Sequence, residues 1–197
     1  LLNNQPMGFY SAATLIQDGR RHQLRTNPVC VSASRWECTV EGDRLIRIGL
    51  RYVKGLHEAT AREALAAREA APFISLDDFL RRTNFTAAER RALAAVGALN
   101  ALSSNRRSAL WHVEAAWSDD EALFKHFADT YREESPLPVM SHPEELQADF
   151  LGLGLTTDEH PMAVLRSRLT DITPAKDLKE TPNGLRVTIA GAVICRQ

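Results

Sequence analysis

Cysteine, long apolar runs and net charge are all scarce in this sequence, and each shortage excludes a class of protein. Three cysteines in 197 residues, Cys30, Cys38 and Cys195, are too few and too scattered for a disulfide framework or a zinc site. Such sparse cysteine favours a reducing, cytoplasmic setting. No apolar run approaches the roughly 18–20 residues that span a bilayer, so we expect no membrane partner. The first ten residues also lack the basic start of a signal peptide.

The balance of charges excludes a strongly basic nucleic-acid binder. The formal net charge is −1, so any basic surface has to be local. Residues 50–117 hold ten Lys and Arg against seven Asp and Glu, which leaves a local charge of +3. With 44% hydrophobic and 25% charged residues, the composition is that of an ordinary folded domain.

Motifs of catalysis and metal binding are missing as well. The six histidines show no HxxxH spacing, and the chain has neither a GxxxxGK[ST] loop nor a GxGxxG loop. Asp77 and Asp78 fall in the first turn of a predicted helix, where carboxylates suit the helix dipole without a metal. We therefore predict no catalytic residue, no metal site and no cofactor in this chain.

Short strands are predicted before residue 50, and helices from residue 50 to about 117. The local signals are helix N-caps at Ser11, Ser75, Thr86 and Ser141, a turn at Glu41–Asp43, and a helix end at Gly97. Ser75–Asp78 and Thr86–Glu89 have the spacing of capping boxes, in which a hydroxyl and a carboxylate satisfy backbone N–H groups reciprocally. A further helix with an acidic surface is predicted over residues 118–135.

Two helix–turn–helix units stand out, one turning at Val53–His57 and the other at Val96–Asn100. The first resembles a helix-hairpin-helix motif, whose turn commonly reads apolar–Gly–apolar–Gly and lets backbone N–H groups approach a phosphate. His57 occupies the place of the second glycine. It could donate a side-chain hydrogen bond, at the cost of a backbone angle that glycine takes more easily. A turn with only a structural role is the alternative.

If both turns bind phosphate, the partner is double-stranded DNA. The predicted DNA-binding residues are those of the turns and of the helix start behind the second turn: Lys54, Gly55, Leu56, His57, Gly97, Ala98, Asn100, Asn105, Arg106 and Arg107. The residues of the first turn, Lys54 to His57, would contact one DNA strand. The residues of the second turn, Gly97 to Asn100, together with Arg106 and Arg107, would contact the other strand. Because phosphates rather than bases are contacted, binding should be independent of sequence and sensitive to salt.

A family resemblance supports this interpretation. The sequence contains, in this order, LLNNQPMGFYSAATLIQDGRRH, LIRIGLRYVKGLHE, PFISLDDFLRRT, ALAAVGALNAL, GLGLTTDEHPM and RVTIAGAVICRQ. This order resembles the bacterial C-family DNA polymerases, which comprise the DNA polymerase III alpha subunit and its error-prone paralogue. The segments NNQPMGFYS and RRH are most similar in sequence to the error-prone, damage-induced branch.

The resemblance implies a mainly α fold with small β elements. It places a tandem helix-hairpin-helix (SAM-like) domain between an α/β remnant of the polymerase fingers and a truncated OB-fold strand. The implied domains are the end of the fingers at 1–49, the hairpin domain at 50–117, a helical connector at 118–184 and the OB-fold strand at 185–197. The apolar start and the unpaired final strand lead us to expect a segment of a longer chain.

The resemblance also implies the activity of the parent protein. It would be a DNA-directed DNA polymerase, a nucleotidyltransferase of DNA replication and repair that performs translesion synthesis after DNA damage. Its metal-binding aspartates, expected to use Mg²⁺, belong to the palm upstream of this segment, so the segment itself should be inactive. Other polymerase, replication or repair proteins are further candidate partners.

Two other functions stay open at this point. The chain could be a structural connector or protein-interaction module without DNA binding of its own, with the acidic helix at 118–135 as its contact surface. It could also be a helix-hairpin-helix module of an unrelated repair protein. The fingers-like opening and the final strand argue against the second of these.

Overall fold

The computed structural model describes residues 1–118, 135–166 and 168–191. The chain divides into two compact units, Leu1–Thr157 and Asp158–Gln197. The elements of the first unit are α1 (Ala12–Arg21), β1 (Arg25–Asn27), β2 (Thr39–Gly42), β3 (Leu45–Arg47), α2 (Glu58–Ala70), α3 (Leu76–Arg82), α4 (Ala87–Ala95), α5 (Arg106–Ser118) and α6 (His142–Gly152). Short 3₁₀ turns lie at Leu2–Asn4 and Leu50–Tyr52. The mainly helical fold with small β elements is as predicted. The acidic helix predicted over 118–135 falls almost wholly outside the described residues.

A small sheet follows α1. The hydroxyl of Ser11 accepts a hydrogen bond from the Thr14 N–H at 3.2 Å, which confirms the predicted N-cap. The strand order is β1–β3–β2, with β3 parallel to β1 and antiparallel to β2. The β2–β3 turn passes through Arg44, whose φ is 53°, close to the turn predicted at Glu41–Asp43.

One apolar core runs through the first unit. Its fully buried side chains come from the helices and from the segments that connect the helices and strands, and include Ile16, Ile48, Phe79, Leu93 and Leu155. Phe79 makes an edge-to-face contact with Phe73 and a stacked contact with Phe85, with ring centroids 5.1 and 5.7 Å apart. The core therefore crosses the boundaries expected at residues 49 and 117, and the division between compact units comes after Thr157. Those two boundaries remain predictions from the resemblance.

The two expected capping boxes behave differently. The Thr86–Glu89 box is complete, because the Thr86 hydroxyl accepts from the Glu89 N–H while the Glu89 carboxylate accepts from the Thr86 N–H. At Ser75 only half of the box forms. Its hydroxyl accepts from the Asp78 N–H at 3.1 Å, but the Asp78 carboxylate accepts from the Ile74 N–H, one residue earlier than predicted.

Glu89 also holds the entrance of α2. Its side chain is 1% exposed, and Oε1 lies 3.0 Å from both the backbone nitrogen and Nδ1 of His57. Its other oxygen, Oε2, accepts from the Thr86 N–H and hydroxyl, both at 2.9 Å. Four hydrogen bonds thus compensate a buried carboxylate, and they tie the N-termini of α2 and α4 together.

The second unit contains α7 (Pro161–Arg166) and a 3₁₀ segment at Ala175–Glu180. The strand predicted over 185–197 is not formed in its described part, residues 185–191, although the Thr188 carbonyl accepts from the Thr173 N–H at 2.8 Å. A β-strand is stable only when a series of hydrogen bonds pairs it with a neighbouring strand, and the single hydrogen bond from Thr173 is not such a series. Residues 192–197 lie outside the described residues. Among the helices that the structure describes, none has the length and apolarity to cross a bilayer.

We expect Glu89→Gln to lower the free energy of unfolding by about 2–4 kcal/mol, because an amide NH₂ then faces donors that need an acceptor. Urea unfolding at neutral pH measures the loss. Glu114→Gln is the matched control, since Glu114 forms an exposed pair with Arg91 and such pairs contribute little. Equal losses in the two variants would contradict the assigned role of Glu89.

The contribution of Glu89 should depend on pH. Burial raises the pKa of this carboxyl, but hydrogen bonds from the His57 and Thr86 N–H groups and side chains outweigh burial, so the pKa lies below its ordinary value. The resulting stability is complete above about pH 4.5 and is lost as the pH falls through the lower folded-state pKa. We expect the difference in unfolding free energy between wild type and Glu89→Gln to become smaller as the pH is lowered from about 7 to about 3. A gap that stays constant over this range would show that ionisation of Glu89 is irrelevant.

Candidate nucleic-acid interface

The first glycine turn is open to solvent. The Leu56 N–H donates to the Val53 carbonyl at 3.2 Å, and Gly55 between them has a φ of 81°, which L side chains rarely adopt. A Cβ added at Gly55 would meet no atom within 4 Å, so its outer side is empty space. The element before the turn is the 3₁₀ turn Leu50–Tyr52 rather than a full helix. A second macromolecule can therefore approach this backbone closely.

Lys54 lies at the end of α6. Its N–H donates to the Gly152 carbonyl at 2.8 Å, and its Nζ lies 2.9 Å from the Leu151 carbonyl and 3.4 Å from that of Phe150. The ammonium thus sits at the negative end of the α6 dipole. The side chain remains exposed. An ammonium has three donor hydrogens, so at least one is left for a ligand.

His57 needs none of the conformational freedom of glycine. Its φ of −87° and ψ of 136° are ordinary extended values, so the expected cost of replacing glycine here is wrong. Its N–H, predicted to bind phosphate, donates to Glu89 instead. The Leu56 N–H is likewise used inside the turn. Two backbone donors of the predicted site are therefore already occupied within the fold.

Backbone N–H groups without an acceptor follow directly after His57, in the first turn of α2. Within the described part of the chain, the N–H groups of Glu58, Ala59 and Thr60 have no acceptor, as expected for the first residues of a helix without a side-chain cap. The Glu58 carboxylate is drawn along the helix by Arg62, 2.7 Å away. Sequence reasoning missed these donors because their position depends on where α2 begins.

The second glycine turn is closed. Gly97, with a φ of 75°, ends α4 in a Schellman motif: its N–H donates to the Ala94 carbonyl and the Ala98 N–H to the Leu93 carbonyl. The Asn100 N–H returns to the Gly97 carbonyl at 3.1 Å. A Cβ at Gly97 would lie 2.9 Å from the Arg106 Nε, so this glycine makes room for an arginine of the same protein. Asn105 accepts from the Ser108 N–H at 2.9 Å and caps α5.

The two arginines behind this turn bind α6. Arg106 is 12% exposed, and its Nη1 contacts the Asp149 carboxylate at 2.7 Å and the carbonyls of Ala95 and Glu145. Asp149 is itself buried and also accepts from the Thr156 hydroxyl. Arg107 is partly exposed and pairs with Glu144 at 2.7 Å. Arg106 is therefore a structural cation in this conformation, while Arg107 is neutralised at the surface.

The ionisation of Glu144 on α6 strengthens the contact that neutralises Arg107. Hydrogen bonds from the backbone and hydroxyl of Ser141, together with the nearby Arg107, hold the pKa of Glu144 below its ordinary value. Glu144 thus remains ionised over the neutral range and attractive to Arg107. The structure brings the ten predicted DNA-binding residues into one unit, but it does not make the two turns equivalent.

The described residues contain no group of three or more His, Cys, Asp or Glu side chains that could hold a metal ion. Asp78 accepts from the Ile74 N–H and from Arg82, which explains this carboxylate without a metal. The chemistry available at the open turn is therefore hydrogen bonding and charge. Both suit an anion.

Comparisons with known proteins agree with this geometry. A family model described as "Helix-hairpin-helix motif" matches residues 23–109, a range that contains both glycine turns. The error-prone DNA polymerases of Alkalilimnicola ehrlichii, Pseudomonas aeruginosa and Aromatoleum aromaticum are 40%, 39% and 38% identical to the chain. Each match covers 100% of this chain and 19% or 20% of the relative. The chain thus spans about a fifth of the length of these curated relatives, and over its whole length it is similar to error-prone DNA polymerases, which confirms the resemblance predicted from the motifs.

Proposed function

We propose that the first unit binds the sugar–phosphate backbone of double-stranded DNA without reading its sequence, and so holds the duplex in an error-prone DNA polymerase. The observation that carries the proposal is the match of the helix-hairpin-helix model over both turns, one of which is open at Gly55. The parent polymerase would work in the cytoplasm, in translesion synthesis after DNA damage, with Mg²⁺ in its palm. This segment would contribute binding and no catalytic group.

The chemistry of the open turn supports phosphate as the ligand. Three free N–H groups at residues 58–60 point out of the N-terminus of α2, where the helix dipole favours an anion. The exposed Lys54 lies in the turn before α2 and adds a positive charge, and its ammonium keeps at least one donor hydrogen beyond its contacts with the α6 carbonyls. Neither group can distinguish one base from another. The expected binding is therefore independent of sequence and weakened by salt.

The closed turn would contribute less. Its N–H groups at Gly97, Ala98 and Asn100 are bonded inside the fold, and Arg106 is buried against Asp149. Arg107 would have to leave Glu144 before it could meet a phosphate. We infer that one DNA strand is bound mainly through Lys54 and the start of α2.

Fluorescence anisotropy of a labelled DNA duplex over a salt series tests the contribution of Lys54. We expect Lys54→Ala to weaken binding several-fold and to lower the slope of log K against log salt by about one, the value for one lost phosphate contact. Arg107→Ala should have a smaller effect, because Glu144 already neutralises that charge. Lys176→Ala removes an exposed charge from the second unit and serves as the control.

The outcomes separate DNA binding from the alternative of a connector or protein-interaction module. An Arg107→Ala loss as large as that of Lys54→Ala would move the main contact to the second turn. If the wild-type chain does not bind DNA even at low salt, the first unit is a connector or a protein-interaction module.

A paired substitution tests the backbone donors of α2. Glu58→Ala removes a carboxylate near the site and should strengthen binding, whereas Glu58→Pro removes the same carboxylate and also one N–H. Proline suits this position, since it is the first residue of the helix and His57 before it is extended. We expect Glu58→Pro to bind DNA several-fold more weakly than Glu58→Ala, with equal helix content by circular dichroism. Equal affinities of the two variants would show that this N–H does not contact DNA.

A further inference from the structure

The side chain of His57 has a role that its position in the turn does not require. The backbone of His57 is ordinary, and its N–H alone would suffice to bond Glu89. The ring nevertheless adds a second contact, with Nδ1 3.0 Å from Glu89 Oε1. The ring is 77% exposed, so its far edge, with Nε2, meets solvent beside the open turn.

The contact with Glu89 determines the tautomer of the ring. Both oxygens of Glu89 receive donors, and an ionised carboxylate can only accept hydrogen bonds. Nδ1 must therefore carry a proton. In the neutral ring Nε2 is then an acceptor, and its lone pair would repel a phosphate oxygen. A phosphate can bind at Nε2 only after that nitrogen has also been protonated.

We propose that His57 binds a DNA phosphate through Nε2 and that one proton, taken from solvent, is bound with the DNA. This inference rests on the proposed function and adds to it a contact residue and a dependence on pH. The proton adds to Nε2 and forms an Nε2–H that donates to the phosphate oxygen. Glu89, on the other side of the ring, stabilises the imidazolium once it forms.

The charged groups around the ring are compatible with this step. Glu89 is the carboxylate that faces the ring from α4. On its own segment, Glu58 is engaged by Arg62, and the Lys54 ammonium is directed to the carbonyls at the end of α6. Arg62 also lies 3.7 Å from Glu37. These charged neighbours have partners within the fold, so the exposed Nε2 edge of His57 is the part of this site left to meet a phosphate.

DNA affinity of the whole chain, measured by anisotropy between about pH 6 and about pH 8 at constant ionic strength, tests the inference. We expect wild-type affinity to rise several-fold on acidification, by no more than about tenfold per pH unit because one proton is taken up. His57→Gln should lose this dependence. His57→Lys should bind well at both ends of the range, because its charge is permanent.

His22→Gln is the matched control for the general gain of positive charge at low pH. His22 is a similarly exposed histidine, at 76%, with the Asp18 carboxylate 3.6 Å away, and it lies outside the helix-hairpin-helix match. It should retain the wild-type pH dependence. If wild type binds DNA in a salt-dependent way but His57→Gln shows the same pH profile, the role of His57 is overturned and the proposed function stands. Absence of binding at every pH and at low salt overturns both.

Discussion

The buried carboxylate of Glu89 is the constraint on which the first unit depends. It completes the cap of α4 through Thr86 and caps α2 through His57, 32 residues earlier in the chain. A carboxylate that is 1% exposed is tolerated because four donors surround it, and those donors come from two hairpins. The relative placement of the two turns is thereby fixed by a polar contact, while Phe79, Leu93 and the rest of the core supply the apolar burial.

The same contact makes the two turns unequal. Because Glu89 uses the His57 N–H, the donors that remain free are shifted into the first turn of α2. At the second turn, α6 supplies Asp149 and Glu144 to the arginines that follow Gly97. The first turn therefore keeps accessible backbone donors, whereas the residues of the second turn contact other helices of the same unit.

The groups that stay accessible at the first turn are suited to a phosphate rather than to a base. Backbone N–H groups and an ammonium can donate hydrogen bonds to any phosphate, and such contacts carry no information about base sequence. The formal net charge is −1, and the two arginines behind the second turn are paired with carboxylates of α6.

Local features could be predicted from the sequence because each depends on a few neighbouring residues. The caps at Ser11 and Thr86, the helix end at Gly97 and the positive φ of Gly55 follow from capping and turn chemistry within four residues. The mainly helical fold and the polymerase family were also readable from the order of the motifs. Pairs distant in sequence were not: Arg106 is separated from Asp149 by 43 residues, and only the packing of α6 shows that this charge is already neutralised. By itself the sequence determined the caps of α1 and α4, the end of α4 and the resemblance to error-prone DNA polymerases. Tertiary structure alone decided which of these donors and charges remain free for a ligand, because their availability depends on partners that folding brings from other helices.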